Sequence, residues 1–335
     1  MLSTRHLGDS AVDNGRIGIA AIDPFRCAWQ ALGRYGGHIN TVAKGLAVSR
    51  KPPIFVVGLP RSGTTWVASV LNTAQSVKYF HEPFNFHGLF NRTKVPEALE
   101  FCMKYLTAEN RDLEFEQRCR DAFAGRTSGE SVRGMLAGLY RRHPWLPGRM
   151  IIKDVCTCMA LESIHRIVAP KIVIVIRHPC GVAASWHRLK YNVDRDLKVV
   201  LDQPRLLNSF LGPFENTLAR AEGFWQKMGA LWGATYYVLL QQCKMHPAWI
   251  IVEHEALCRD AVANFRRLFE SLDLGWTNRT DQWLESSTGT NTPEPYSNRR
   301  VSEEEPDKWR SELSDEQSEQ VRRFAQPFEI PFYRE

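Results

Sequence analysis

The sequence has no long hydrophobic run, no metal-binding cysteine pattern and no strong excess of charge. No apolar stretch in its 335 residues approaches the ~20 residues that a membrane-spanning helix requires. Its eight cysteines include no C-x2-C pair, and no histidine spacing is typical of a zinc site. The net charge of +6 suits an anionic ligand but does not indicate nucleic acid. We therefore expect no transmembrane segment, no zinc site and no nucleic-acid partner.

The amino-terminal residues also lack the apolar core of a signal peptide. Together with the scattered cysteines, this predicts a cytoplasmic protein with reduced thiols. Cys156 and Cys158 are the one close pair, for which we favour a structural role over redox chemistry. A hydrophobic content of 44% and a charged content of 24% are typical of a globular protein, long enough for one large α/β domain or two small ones.

What is present is a strand, a tight loop and a helix between Ile54 and Trp66. The β-branched run breaks at Gly58, the loop is rich in Pro, Ser and Gly, and an apolar helical pattern follows at once. Such a junction directs several backbone N–H groups and the positive end of a helix dipole toward one point, where Arg61 adds a full charge. The stretch predicts a site for an anion.

The loop fits the phosphate-loop pattern G-x4-G-K-[ST] except at the lysine. Gly58 to Thr65 match, but Thr64 stands where the lysine belongs. A hydroxyl cannot reach the β- and γ-phosphates as that lysine does, so the cation has moved to Arg61. ATP hydrolysis is not favoured.

The loop resembles the 5′-phosphosulfate loop of sulfotransferases that use 3′-phosphoadenosine 5′-phosphosulfate (PAPS), in the motif Pro-Arg-Ser-Gly-Thr-Thr-Trp. Golgi and many bacterial members of that family carry arginine where Arg61 stands. The resemblance implies that PAPS is held by loop residues, namely Arg61, Ser62, Gly63, Thr64 and Thr65. Trp66 either stacks on the adenine or belongs to the core.

A second motif begins where the β-branched run Ile172 to Ile176 ends. This run predicts a central parallel strand buried on both faces, and it is followed by Arg177 and, eight residues later, Ser185. A guanidinium fork with a hydroxyl beside it suits a phosphate. The pair resembles the 3′-phosphate site of the same family; the alternative is an arginine that caps the sheet edge and an ordinary helical serine.

A third region follows a predicted strand over Val77 to Phe80, which Pro83 ends. Glu82 is the candidate catalytic base, because His-Glu-Pro-Phe resembles the Phe-Glu-Pro of Golgi carbohydrate sulfotransferases, and nearby phenylalanines would raise its pKa by desolvation. His81 is the rival base, and a structural role for both stays open. Lys153 follows a predicted strand over Met150 to Ile152. It either contacts the sulfonate or 5′-phosphate or forms a salt bridge, and we favour the salt bridge.

Repeated strand-then-helix units predict one α/β domain over residues 51–335, with a P-loop-type central parallel sheet flanked by helices on both faces. Residues 1–50 are expected to be an extension packed on this domain, and about 94–148 a helical insertion capping the acceptor side. A long helix is predicted from Pro213 to Met245. Arg299 and Arg300 lie in a loop similar to the cofactor-covering loop of the sulfotransferases.

The sequence thus predicts an enzyme that moves a sulfuryl group from PAPS to a hydroxyl, with no metal. Arg61 would meet the charge on the leaving oxygen, and Glu82 or His81 would take the proton. The motifs favour a carbohydrate or glycoconjugate acceptor, although an aromatic cluster suits a lipid or aromatic compound equally (Tyr79, Phe80, Phe84, Phe86 and Phe90). The alternatives are a small-molecule or sugar kinase that uses ATP and Mg²⁺, and a non-catalytic nucleotide-binding module. A monomer and a homodimer are both compatible with the sequence.

Overall fold

The computed structural model describes residues 49, 51–84, 101–125, 148–288 and 305–333, and within this part of the chain five strands form one parallel sheet. The strands are β1 (Ile54–Val57), β2 (Val77–His81), β3 (Arg149–Asp154), β4 (Lys171–Ile176) and β5 (Ile250–Glu253). Their order is β2-β3-β1-β4-β5, and every neighbouring pair is parallel. The predicted α/β class with a central parallel sheet is confirmed. The loop after β1 therefore lies at the middle of the carboxyl edge, where such sheets bind ligands.

Helices follow the strands and cover both faces of the sheet. In chain order they are α1 (Thr64–Leu71), α2 (Leu113–Phe123), α3 (Leu161–Val168), α4 (Pro179–Leu189), α5 (Val193–Leu201), α6 (Glu215–Ala219), α7 (Gly223–Met245), α8 (His254–Arg259), α9 (Ala261–Ser271), α10 (Asn278–Thr288), α11 (Trp309–Glu312) and α12 (Asp315–Ala325). Short helical turns occupy Pro204–Leu206, Leu207–Leu211 and Gly212–Phe214, between α5 and α6.

The strand side chains alternate between two hydrophobic clusters, one on each face. Phe55 and Val57 of β1 belong to the cluster that includes Trp232 of α7. Ile54 and Val56 belong to the other cluster, with residues of α1 and α9. Because successive side chains of a strand point to opposite faces and both faces are covered, a continuous apolar run is what such strands require. The same rule explains why β4 could be predicted as a central strand from the sequence.

The long helix predicted from Pro213 begins later, at Gly223. Pro213 lies in a short 3-10 turn, and α6 ends at Ala219. Gly223 has φ +61°, a left-handed backbone that a preceding helix cannot continue through. The helical periodicity of the sequence is therefore divided between α6 and α7.

The predicted insertion 94–148 is described over residues 101–125 and 148, and part of it belongs to the core. Phe101 and Phe115 are buried in the same cluster as β1 and β3, whereas a role in capping the acceptor side stays a prediction. The predicted extension 1–50 lies outside the described residues except for Ser49, whose N–H donates to the carbonyl of Gly148 at 3.0 Å.

Cys102 of this segment forms a disulfide with Cys156, which follows β3. The expectation of reduced thiols throughout is therefore wrong for this pair, whereas Cys158 is buried and free. The disulfide joins residues 54 positions apart and gives Cys156 the structural role that we favoured.

Among the described helices none is long and apolar enough to cross a bilayer. A cytoplasmic location stays a prediction.

Candidate active site

The loop between β1 and α1 is a close-fitting backbone cradle. A Cβ on Gly58 would lie 2.4 Å from the carbonyl oxygen of Val175, and one on Gly63 would lie 2.3 Å from Cδ2 of His254. Gly63 also has φ +90° and forms the N-cap of α1, where no side chain caps the helix. The first-turn N–H groups and the helix dipole therefore point into the cradle, which is an arrangement suited to phosphate.

A tyrosine from α7 fixes this loop from inside. The hydroxyl of Tyr236 donates to the carbonyl of Val175 at 2.9 Å, accepts from the N–H of Leu59 at 3.3 Å and shares a hydrogen bond of 2.8 Å with Ser62 Oγ. Ser62 is fully buried, and its N–H donates to the carbonyl of Leu59. Ser62 thus holds the loop together, and its expected contact with the ligand stays a prediction.

The two arginines that the motifs single out lie together. Arg61 Nε donates to Ser185 Oγ at 2.9 Å, and Arg177 Nη1 donates to the Arg61 carbonyl at 3.2 Å. Arg61 has φ +74°, a left-handed conformation that few residues other than glycine adopt. The structure therefore joins both predicted phosphate motifs in one positive cluster, with the Arg61 side chain turned toward the predicted 3′-phosphate residues.

The backbone beside Arg177 is held by buried side chains from distant parts of the chain. Trp232 Nε1 donates to the Arg177 carbonyl at 2.9 Å. Glu255 accepts from the N–H of His178 at 2.9 Å with one oxygen, and from the hydroxyl of Tyr333 with the other. Burial, followed by the charge of Arg177, holds the pKa of the neighbouring His254 well below its ordinary value, so this histidine is neutral beside the cradle.

Glu82 and Lys153 form an ion pair at the ends of β2 and β3. The Glu82 N–H donates to the Lys153 carbonyl at 2.7 Å, and Lys153 Nζ contacts Glu82 Oε1. Lys153 is 3% exposed, whereas Glu82 is 19% exposed and has φ +48°. The strand ends where Pro83 predicts, and Glu82 lies beside a cation. An adjacent ammonium favours the ionised carboxylate.

His81 and Asp154 flank this ion pair. Burial and then the Lys153 charge lower the pKa of His81 to about 4, and its Nδ1 shares a hydrogen bond of 2.8 Å with the Tyr79 hydroxyl. Asp154 accepts from the N–H of Cys156 at 2.8 Å and that of Phe84 at 3.1 Å. Burial, with the Glu82 charge next, raises the pKa of Asp154 to about 6. Asp154 therefore fixes the turn that carries Glu82.

The strand order places these groups in a line along one edge. Lys153 pairs in register with Val56 of β1 on one side and with His81 of β2 on the other. Neighbouring strands are about 4.8 Å apart, so Glu82, after β2, lies about 10 Å from the loop after β1. Arg177, after β4, flanks the loop on the opposite side.

Other predicted site residues lie elsewhere. Trp66 is 8% exposed, donates to Ser287 Oγ at 3.3 Å and packs edge-on against Phe265, which is the core arrangement; stacking on adenine stays a prediction. Arg299 and Arg300 lie outside the described residues. The described side chains include no cluster of three or more metal-ligating groups, and the expectation of a metal-free reaction stays a prediction.

Sequence reasoning assigned no role to Tyr236, His254 or Glu255. Tyr236 lies inside a long helical pattern that carries no signal for a polar contact. His254 and Glu255 directly follow β5, and their position at a carboxyl strand end is the one signal that could have indicated the site.

The fold and the site together define an α/β protein that binds a phosphorylated ligand. Its parallel sheet carries a glycine-bearing loop and two arginines at the carboxyl edge. Residues 52–278 match the family model described as Sulfotransferase family, and the chain belongs to this family. It is a PAPS-dependent sulfotransferase enzyme, as the loop motif implied.

Solved sulfotransferase structures are distantly similar. The sulfotransferase domain of the curacin biosynthetic pathway is 17% identical over 82% of this chain and 98% of its own, with a TM-score of 0.45. The domain from the Synechococcus olefin synthase is 16% identical over 84% and 95%, with a TM-score of 0.43. A mouse sulfotransferase complexed with PAP is 14% identical over 88% of each chain, with a TM-score of 0.40. No curated protein is a significant sequence match. The assignment rests on the family model.

Proposed function

We propose that this enzyme transfers the sulfuryl group of PAPS to a hydroxyl of a carbohydrate or glycoconjugate. The supporting observation is the order of groups along the sheet edge: the Glu82–Lys153 pair, the loop, and Arg177 with Ser185. One nucleotide lying along this edge has its 3′-phosphate at Arg177 and Ser185 and its 5′-phosphosulfate over the loop. Its sulfur then faces Glu82.

The reaction needs little covalent chemistry from the protein. The acceptor oxygen forms a bond to sulfur, the bond from sulfur to the 5′-phosphate oxygen breaks, and the hydroxyl proton passes to a base. Negative charge gathers on the leaving phosphate, where the N–H groups at the start of α1 stabilise it. The Arg61 guanidinium, which bonds Ser185 in this structure, turns toward the loop to join them when the nucleotide binds. Lys153 lies between the loop and Glu82 and supplies a further cation beside the transferred group.

Glu82 is the base that this geometry favours. Its carboxylate oxygens are proton acceptors at the strand end that the transferred sulfur faces, and one of them contacts Lys153. His81 Nδ1 shares a hydrogen bond of 2.8 Å with the Tyr79 hydroxyl, so this ring nitrogen is already engaged. Burial and then the Lys153 charge lower the pKa of His81 to about 4, so this histidine has lost the near-neutral pKa that made it the rival base.

Burial of aromatic side chains supports a carbohydrate acceptor over a lipid or aromatic one. Phe80 and Phe84 are each 1% exposed and belong to the core, so their rings cannot line an acceptor surface. Tyr79 is only partly buried. Phe86 and Phe90 lie outside the described residues. The polar and charged groups around Glu82 suit a hydroxyl-rich acceptor.

Incubation with labelled PAPS and parallel arrays of glycans, phenols and lipids, read by mass spectrometry, tests the proposal. We expect label on a glycan hydroxyl and far slower labelling with Glu82→Gln. Transfer to phenols or lipids alone would overturn the acceptor class. Thermal shifts provide the second arm: stabilisation by adenosine 3′,5′-bisphosphate is expected, whereas stabilisation by Mg-ATP instead would point to a kinase.

A further inference from the structure

The Glu305 carboxylate lies against the Arg177 guanidinium, which is the group that binds the nucleotide 3′-phosphate in the proposed function. Glu305 Oε2 lies 3.4 Å from Arg177 Nη2, and the two side chains are 14% and 13% exposed. The other carboxylate oxygen of Glu305 lies 3.1 Å from Lys308 Nζ. Glu305 therefore pairs with the predicted phosphate ligand on one side and with a separate cation on the other.

Arg177 is held in place by contacts that do not involve Glu305. Its Nη1 donates to the Arg61 carbonyl at 3.2 Å, and its own carbonyl accepts from Trp232. Gly181 of α4 lies so close that a Cβ there would be 3.0 Å from Arg177 Nε. Because these contacts fix the guanidinium from behind, Glu305 is not needed to orient it.

A phosphate dianion and a carboxylate repel each other when both lie against one guanidinium. Lys308 offers Glu305 an alternative partner, so the carboxylate can leave Arg177 without losing every cation. We propose that Glu305 competes with the nucleotide 3′-phosphate for Arg177 and selectively weakens binding of 3′-phosphorylated nucleotides. This inference rests on the proposed function, and it makes Glu305 a residue that weakens binding of the donor and speeds release of the bisphosphate product.

Calorimetric titration of Glu305→Gln tests the competition. Glutamine keeps the size and a hydrogen-bond acceptor but removes the charge. We expect the dissociation constant of adenosine 3′,5′-bisphosphate to fall by about 3- to 10-fold, the range for a partly buried ion pair. The affinity for adenosine 5′-monophosphate, which has no group for Arg177, should change by less than about 2-fold on the same grounds.

Glu312→Gln is the matched control. Glu312 lies on the same carboxyl-terminal segment and pairs with Arg188 at 2.7 Å, so its substitution changes the net charge equally without touching Arg177. Equal tightening in both variants would show a general charge effect and overturn the inference. Weaker bisphosphate binding in Glu305→Gln, repeated in Glu305→Ala, would mean that Glu305 supports the site. If the wild-type protein binds no bisphosphate, the proposed function itself fails, which is a distinguishable result.

Discussion

Arg61 Nε and Ser185 Oγ form a hydrogen bond of 2.9 Å although 124 positions separate them in the chain. The loop after β1 and the helix after β4 can meet in this way because β1 and β4 are parallel neighbours. A single nucleotide can therefore contact both motifs. This is the geometric condition that binding of one doubly phosphorylated adenosine requires.

Replacement of Arg177 by alanine should weaken binding of adenosine 3′,5′-bisphosphate. The loss should be about 2 to 3 kcal/mol, because a charge-assisted contact to phosphate disappears. Arg188→Ala is the control, since Arg188 lies on α4 in an exposed ion pair with Glu312. Titration calorimetry should show little change for the control. Similar losses in both variants would argue that only the general positive charge attracts the ligand.

Glu82→Gln should lower kcat by about 10² to 10⁴, the range for a lost general base, while nucleotide affinity stays near the wild-type value. His81→Gln should keep most of the turnover, because His81 is a poor base in this environment. Steady-state kinetics with a saturating acceptor separates the two residues. Near-normal turnover in Glu82→Gln, with a strong loss in His81→Gln, would transfer the role of base to the histidine.

The strands and both phosphate motifs could be predicted because their signals are local. The apolar run of β4 and the glycines of the loop each reflect what the backbone at that position needs. Arg177 follows β4 directly and Ser185 lies on the helix that comes next, so their spacing within one strand-and-helix unit carries the geometry.

The contacts that hold the site could not be predicted in this way. Tyr333 contacts Glu255 across 78 positions, and Glu305 meets Arg177 across 128. Such pairs depend on the packing of whole elements and leave no periodic signal. The partner of Lys153 could not be predicted for a related reason. A lysine at a strand end can pair with several carboxylates, and only the strand register, which brings Glu82 beside it, decides between them.

Gly63→Ala should destabilise the protein and abolish nucleotide binding. Its φ of +90° is costly for alanine, by about 1 to 2 kcal/mol, and the new methyl group would overlap the His254 ring. Gly275→Ala is the control, because a Cβ there meets nothing within 4 Å. Urea unfolding and calorimetry should show loss only for Gly63→Ala. Wild-type behaviour in Gly63→Ala would contradict the close-fitting cradle.

The free energy of unfolding should rise with pH through the titration of His178. Burial, then the charges of Arg310, Arg322 and Arg177, lower its pKa from 6.5 to about 4. Between these values the unfolded chain binds more protons, so this stabilisation is complete above pH 6.5 and is lost as the pH falls through about 4.

Urea unfolding of His178→Asn at several pH values checks this effect. Asparagine keeps an N-cap acceptor for α4 but does not titrate. The variant should show a slope shallower by up to about 1.4 kcal/mol per pH unit, the limit for one proton. Asp154, whose raised pKa acts in the opposite direction, is present in both proteins and cancels in the difference. Parallel pH profiles would show that His178 titrates normally.

Tyr236→Phe should loosen the phosphate loop without disturbing the sheet. The hydroxyl bonds to Leu59, Ser62 and Val175, all of them buried, so its removal leaves polar groups without this partner. The expected cost is about 1 to 3 kcal/mol in the free energy of unfolding, with a higher KM for PAPS. Tyr237→Phe, at the next position of α7 and outside this network, should change neither quantity. The ring of Tyr236 stays packed in this variant, so unchanged stability with a raised KM would mean that the hydroxyl acts on loop geometry alone. No change in either measurement would show that the Tyr236 hydroxyl does not support the site.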